Sequence, residues 1–175
     1  IAALVDRRCD GEPVAYLLER SWFYGLELFV DRRVLVPRPE TELLVDLALA
    51  HLGDLDAGAE RRRASIVVDA CTGSGCVAIA LARTLGEGVK VIATDISGEA
   101  LEVAARNVEQ QGVRVDLRCG DLLEPVAADE LAAVIVANPP YVEHVDVADM
   151  EPWVRDHEPH VALLVPADSS VDELY

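Results

Sequence analysis

The sequence predicts an α/β fold built on an open parallel sheet and preceded by a small helix and β-hairpin segment. Three observations carry that prediction. From residue 64 onward, short Val/Ile/Ala runs alternate with amphipathic stretches of helical length. The runs are continuously apolar, as in strands covered on both faces. The junctions after them are rich in Gly, Asp and Asn, which is where open α/β sheets hold their ligands.

The elements follow in order. Glu12 to Arg20, with Pro13 early, reads as a short helix. Ser21 to Val36 carries Trp22, Phe23, Tyr24, Leu26, Leu28, Phe29, Val30, Val34 and Val36, broken by Gly25 and Asp31-Arg32-Arg33, the pattern of one or two hairpins. Pro37 to Glu42 is a turn feeding an amphipathic helix from Leu43 to Leu52, and Asp54 to Arg63 is a polar, Gly/Ala-rich linker or surface loop. Strands at 65–69, 89–94, 113–119 and 132–137 then alternate with helices near 75–85 and 98–111. The expected sheet order is 3-2-1-4, with Ala132–Ala137 at an edge. Two units are expected, 1–63 and 64–175. The tail from Val142 is acidic, proline-punctuated and without a readable period.

With 175 residues, 51% hydrophobic, the chain is long enough to bury a core. The net charge is −17, and Lys90 is the single lysine among fifteen basic residues. Such a surface repels phosphate backbones, so direct nucleic-acid binding is not expected. Cys9, Cys71, Cys76 and Cys119 form no CxxC and no His/Cys cluster. They read as reduced, mostly buried thiols of a cytoplasmic protein with no metal site and no disulfide frame. No apolar stretch is long enough for a membrane span, no signal peptide opens the chain, and a first residue Ile1 points to a fragment.

Four constellations sit on the junctions. Asp69-Ala-Cys71-Thr72-Gly73-Ser74-Gly75 makes a strand-to-helix turn whose glycines let the backbone approach a ligand. By itself it is a weak signal, since Cys71 takes the first glycine position of a nucleotide fingerprint and a ligand-free tight turn has the same residues. Asp95, twenty residues past Gly75, ends the next strand where an acid grips a ribose diol, or where an ordinary helix cap sits. Gly120-Asp121-Leu122-Leu123 follows the third strand and fits an adenine-covering loop or a plain turn. Asn138-Pro139-Pro140-Tyr141 follows the fourth. There the Asn138 side-chain oxygen and the rigidly held Pro139 carbonyl can accept both N–H bonds of a conjugated amino group, with Tyr141 against its flat face. Jointly they imply an adenosine-containing cofactor beside a planar nitrogen that is methylated.

These residues resemble the HemK-type protein-(glutamine-N5) methyltransferases, which act on the Gly-Gly-Gln glutamine of peptide-chain release factors. The resemblance runs from Gly11-Glu12-Pro13 through Phe23-Tyr24-Gly25, the distinctive Pro37-Arg38-Pro39-Glu40-Thr41-Glu42, Thr72 to Cys76, Asp95-Ile96-Ser97, Gly120 to Leu123 and Asn138 to Tyr141, ending near Glu158-Pro159. It implies a Rossmann-like class I S-adenosylmethionine-dependent methyltransferase sheet lacking its C-terminal strands, with the chain truncated at both ends. It also implies site roles. Cys71, Thr72, Gly73, Ser74 and Gly75 line the methionine part of S-adenosyl-L-methionine, Asp95 holds the ribose, Asp121 and Leu122 the adenine, and Thr41 reaches the amino-acid end. Asn138, Pro139, Pro140 and Tyr141 hold the substrate amide, with Asn138, Pro139 and Tyr141 catalytic. Two departures stand out: Glu19 and Cys71 occupy positions where the family has glycine. Three alternatives remain at this stage: a methyltransferase of another protein glutamine, a DNA adenine N6-methyltransferase, and an inactive remnant whose bare edge strand makes it unstable alone.

Overall fold

The structure is a computed structural model that describes residues 2–54 and 65–166. Most of the expected 54–63 linker and the end of the tail lie outside the described residues. The elements are α1 (Ala2–Cys9), α2 (Val14–Leu18), β1 (Ser21–Phe23), β2 (Leu26–Leu28), α3 (Glu42–Asp54), β3 (Ile66–Ala70), α4 (Cys76–Leu85), β4 (Lys90–Asp95), α5 (Gly98–Gln111), β5 (Asp116–Cys119), β6 (Ala132–Ala137) and α6 (Pro152–Arg155). Short 3-10 turns at Pro39–Thr41, Gly86–Gly88, His144–Asp149 and His160–Ala162 join them.

Four strands pair in parallel in the order β5-β4-β3-β6, the expected 3-2-1-4, with Ala132–Ala137 at an edge. The chain steps from β3 to β4 on one side and returns to β6 on the other. That reversal opens a crevice at the carboxyl ends of β3 and β6. Phe23, Val45, Ala48, Val67, Ile79, Leu81 and Val136 form one buried cluster in which α3 and α4 cover the sheet. A second joins Ala78 and Ala82 of α4 to Val91 and Ala93 of β4. Val68 and Ile92, on the alternate face, are equally buried, so both faces of the central strands are shielded.

The N-terminal segment packs on α5. Tyr16, Phe29, Val30 and Val34 meet Ala100 and Val103 there, and the Tyr16 hydroxyl donates to the Val34 carbonyl at 2.6 Å. Three expectations need correction. Helix α1 was not foreseen, because all its residues are exposed and no apolar stripe marks it. Between Ser21 and Val36 one hairpin forms, within the one or two expected. Its ladder stops at Leu28 because the Asn107 side chain takes both the N–H and the carbonyl of Phe29. The third strand begins at Asp116 and not 113, since Gly112 caps α5 in the left-handed region and Val113 donates back to the Val108 carbonyl. The four cysteines are free, but Cys9 and Cys119 are exposed, where mostly buried thiols were expected; only Cys76 is fully enclosed, on a helix buried on every side. No helix among the described residues is long and apolar enough to cross a membrane.

The tail, unreadable in sequence, folds back beside β6. Val142 bridges Leu164 in parallel, donating to the Leu163 carbonyl and accepting from the Val165 N–H.

Candidate active site

The loop after β3 is held by three side chains. Buried Asp69 accepts from the Thr72 hydroxyl at 2.6 Å and from the Ala78 N–H at 3.1 Å, tying loop to helix α4. Asp95, ending β4, accepts the Gly73 N–H at 2.8 Å and the Ser97 N–H at 2.9 Å. The Asn107 carboxamide donates to the Ser74 carbonyl at 2.9 Å. Cys71, Gly73 and Gly75 all sit at positive φ, 59°, 54° and 81°. Gly75 has a second constraint: a Cβ there would come within 3.1 Å of Ile79 and 3.2 Å of Ala104. An added Cβ on Gly73 would meet nothing within 4 Å, so that glycine stands in open space.

At the neighbouring loop, the Leu122 carbonyl accepts from the Thr94 hydroxyl at 2.6 Å. Arg118 and Lys90 bind Glu130, which itself accepts the Ala127 N–H, so the far end of that loop is closed by ion pairs. Across the crevice, Asn138 and the buried Pro139 leave β6, and the Pro39–Thr41 turn approaches from the N-terminal segment.

These elements enclose a cavity of about 560 Å³ whose walls include Cys71, Thr72, Gly73, Ser74, Asp95, Asp121, Leu122, Thr41, Asn138, Pro139 and Pro140. A second cavity, of about 620 Å³, shares Leu35, Arg38, Thr41, Asn138, Pro139 and Ala162 with the first and adds Tyr141, Trp153 and Met150. Asn138 and Pro139 therefore stand where two cavities meet. The structure gathers every residue singled out from sequence except Gly75, which packs behind the loop, and Tyr141, which faces the second cavity alone and is 61% exposed.

Three acids, Asp69, Asp95 and Asp121, line the first cavity together with Arg33 and Arg38. Burial pushes the Asp69 carboxyl up to about 7, against the opposing hydrogen bonds from Thr72 and Ala78. Burial likewise raises Asp95. Cys71 is pushed up to about 12, first by burial and then by Asp95, Asp69 and Asp121, so its thiol stays protonated.

Three residues with site positions were missed in sequence. Asp69 was read only as part of its motif. Asn107 is a polar residue on the buried stripe Ala100, Val103, Ala104, Asn107, and a polar side chain on an apolar helix face is the sequence signal that marks it. Glu158, whose side chain is wholly buried, accepts from Arg38 at 2.6 Å and from the Val36 N–H at 3.1 Å, clasping the tail to the Pro37–Glu42 segment. The Arg38 guanidinium also lies 5.0 Å from the Trp153 ring centroid.

The methyltransferase domain family matches residues 67–160, more than half of the chain. The chain belongs to that family. Over 94% of its length it is 40% identical to the release factor glutamine methyltransferase of Chlorobaculum tepidum, and over 91% it is 42% identical to that of Bacillus subtilis. It spans about half the length of these relatives, 56% and 54%. Among solved structures, the hMettl16 catalytic domain in complex with MAT2A 3'UTR hairpin 6 superposes with a TM-score of 0.56 over 82% of this methyltransferase-family chain and 52% of its own, at 16% identity. At that identity the likeness concerns the fold alone.

Proposed function

We propose that the chain transfers a methyl group from S-adenosyl-L-methionine to the side-chain amide nitrogen of a glutamine, the one in the Gly-Gly-Gln motif of peptide-chain release factors. The observation that supports this best is the position of Asn138 and Pro139 at the junction of two cavities. One has the features of a nucleoside site and the other is open to solvent at Tyr141. The names of the relatives support the substrate.

The residues fit the cofactor. Gly73 stands in open space, and Asp95 and Asp121 in the cavity lining favour a ligand carrying sulfonium and ammonium charges. Asp95 would hold the ribose hydroxyls with the lone pairs its two backbone donors leave free. Leu122 would lie on the adenine and Asp121 beside its amino group; Cys71 to Ser74 and Thr41 would border the methionine end. When bound, S-adenosylmethionine supplies an electrophilic methyl group on sulfur.

The chain's own residues do the rest. Asn138 Oδ1 and the Pro139 carbonyl accept both N–H bonds of the substrate amide, which orients its nitrogen and draws the lone pair out of conjugation. Both acceptors act most strongly as the nitrogen gains positive charge, and the proton it gives up passes to solvent through the cavity open at Tyr141. Pro139 and Pro140 keep those acceptors from turning away, which is a proximity contribution. Tyr141 lies against the amide plane. Residues 1–63 form the substrate-facing unit with its linker and lead-in helix, and 64–175 the cofactor unit. The acidic surface and the cysteines without disulfides agree with a cytoplasmic partner of release factors that does not itself grip nucleic acid.

The test is a calorimetric titration with S-adenosylmethionine, followed by incubation with a release factor and peptide mass spectrometry. One saturable site and one added methyl on the Gly-Gly-Gln glutamine are expected. Methylation of a DNA adenine, or of no substrate by a folded, cofactor-binding chain, would sink the assignment.

A further inference from the structure

Asn107 lies on the face of α5 that turns inward, and it is fully buried. Its Oδ1 accepts the Phe29 N–H at 2.7 Å, and its Nδ2 donates to the Phe29 carbonyl and to the Ser74 carbonyl, both at 2.9 Å. Both amide hydrogens and the oxygen are thus used, which satisfies the side chain inside the core. The partners lie 78 and 33 residues away in sequence. The same helix packs so close to the loop that Ala104 would touch a Cβ on Gly75, and the Arg106 guanidinium lies 3.4 Å from the Phe29 ring centroid.

We propose that Asn107 is the positioning residue of the cofactor loop, fixing the Ser74 carbonyl in the interior and coupling the Cys71–Gly75 backbone to the segment around Phe29. This rests on the reading that the loop borders S-adenosylmethionine. A loop with three residues at positive φ does not hold that path unaided; Asp95 anchors it at Gly73, and Asn107 anchors it one residue later. Asn107→Asp keeps an acceptor for the Phe29 N–H and replaces the two amide hydrogens with at most the single O–H of a protonated carboxyl. The Phe29 and Ser74 carbonyls then have at most one donor between them, where the wild type supplies one to each.

The test compares the whole wild-type chain with Asn107→Asp and with Val103→Ala. The latter loosens the same buried face of α5 without touching the loop. Calorimetry gives the dissociation constant for S-adenosylmethionine, and melting gives stability. Asn107→Asp is expected to raise the dissociation constant at least about tenfold, the cost of one hydrogen bond. Val103→Ala should lower the melting temperature while moving affinity less than about threefold, within a fraction of one hydrogen bond. Equal affinities for the two variants would overturn the proposal, since a merely structural role predicts that outcome.

If Asn107→Asp does not fold, Asn107→Ser, which keeps one donor, is read the same way. Hydrogen exchange on ligand-free wild type gives a reading free of variants. The Phe29 amide should exchange as slowly as the interior of α5, and fast exchange would overturn the anchor. A folded wild type that does not bind S-adenosylmethionine would overturn the cofactor reading itself, before any variant is compared.

Discussion

The two loops that border the first cavity are supported in unlike ways. The Cys71–Gly75 loop leaves β3, a central strand paired on both sides, and is gripped by Asp69, Asp95 and Asn107. The Asn138–Tyr141 turn leaves β6, which among the described residues pairs only with β3, and Ile135 on that strand is 52% exposed. Its other support is the tail, held by the Val142 bridge and by Glu158 under Arg38. The cofactor side is therefore set by the core, in the way a preorganised site requires. The amide side is set by one ladder, two prolines and a buried ion pair. Changes on the first side should act through affinity and global stability; changes on the second should act on the chemical step.

Asn138→Ala is the sharpest probe of that division and carries the largest expected effect. Loss of one acceptor that strengthens in the transition state should slow methyl transfer by about 10²–10³-fold. Cofactor affinity should hold within about threefold, less than one hydrogen bond. Single-turnover rates and calorimetry on the same preparations read the two quantities separately. Turnover at the wild-type rate would remove Asn138 from the mechanism.

Asp69→Asn tests the cofactor side through pH. The folded carboxyl titrates near 7, above its unfolded value, so between those limits the native state holds a proton that the unfolded chain has lost. The proton stabilises the fold fully below the unfolded value, and that stabilisation is lost as pH rises through about 7. Wild-type stability relative to Asp69→Asn should therefore fall by about 2–3 kcal/mol between pH 5 and 7, at 1.36 kcal/mol per pH unit. Urea unfolding at the two pH values measures it. A difference that grows with pH would mean Asp69 stays ionised when buried.

Glu158→Gln should cost less, roughly 1–2 kcal/mol. Breaking a fully buried pair costs more, but Arg38 keeps a quarter of its side chain in solvent and glutamine retains an acceptor for the Val36 N–H. This loss should appear as a slower chemical step at saturating cofactor, because the clasp supports the second cavity. An effect confined to cofactor affinity would erase the proposed contrast between the two loops.

The parallel strands, their order and both main helices were legible because their apolar runs and periods come from local burial, which composition records directly. The loop residues were legible only jointly: each motif alone fits a plain turn or cap, and it is their succession at the ends of consecutive strands that points to one ligand site. What was hidden depends on contacts remote in sequence. Asn107 ends the hairpin at Phe29 from 78 residues away, and Glu158 reaches Arg38 across 120. Helix α1 was hidden for the opposite reason: with all its residues exposed, it leaves no apolar period to read.

The smallest expected effect comes from the two positions where glycine was expected, Glu19 and Cys71. Both adopt left-handed backbone, φ 52° and 59°. Glu19 ends α2, its N–H bonding back to Ala15 and Tyr16 while Arg20 donates to the Ala15 carbonyl, a cap that glycine adopts without strain. A non-glycine residue there costs about 1–2 kcal/mol, from which glycine's greater unfolded-state freedom removes about 0.5–1. Glu19→Gly should thus stabilise by up to about 1 kcal/mol in urea unfolding and leave cofactor affinity unchanged. Cys71→Gly relieves the same strain, but at a half-buried side chain on the cavity wall. It should match Glu19→Gly in stability only after subtracting the lost packing, and it should also change cofactor affinity. If the two substitutions shift stability alike and neither changes affinity, the Cys71 side chain does not reach the ligand, and the departure from glycine at 71 is as neutral as the one at 19.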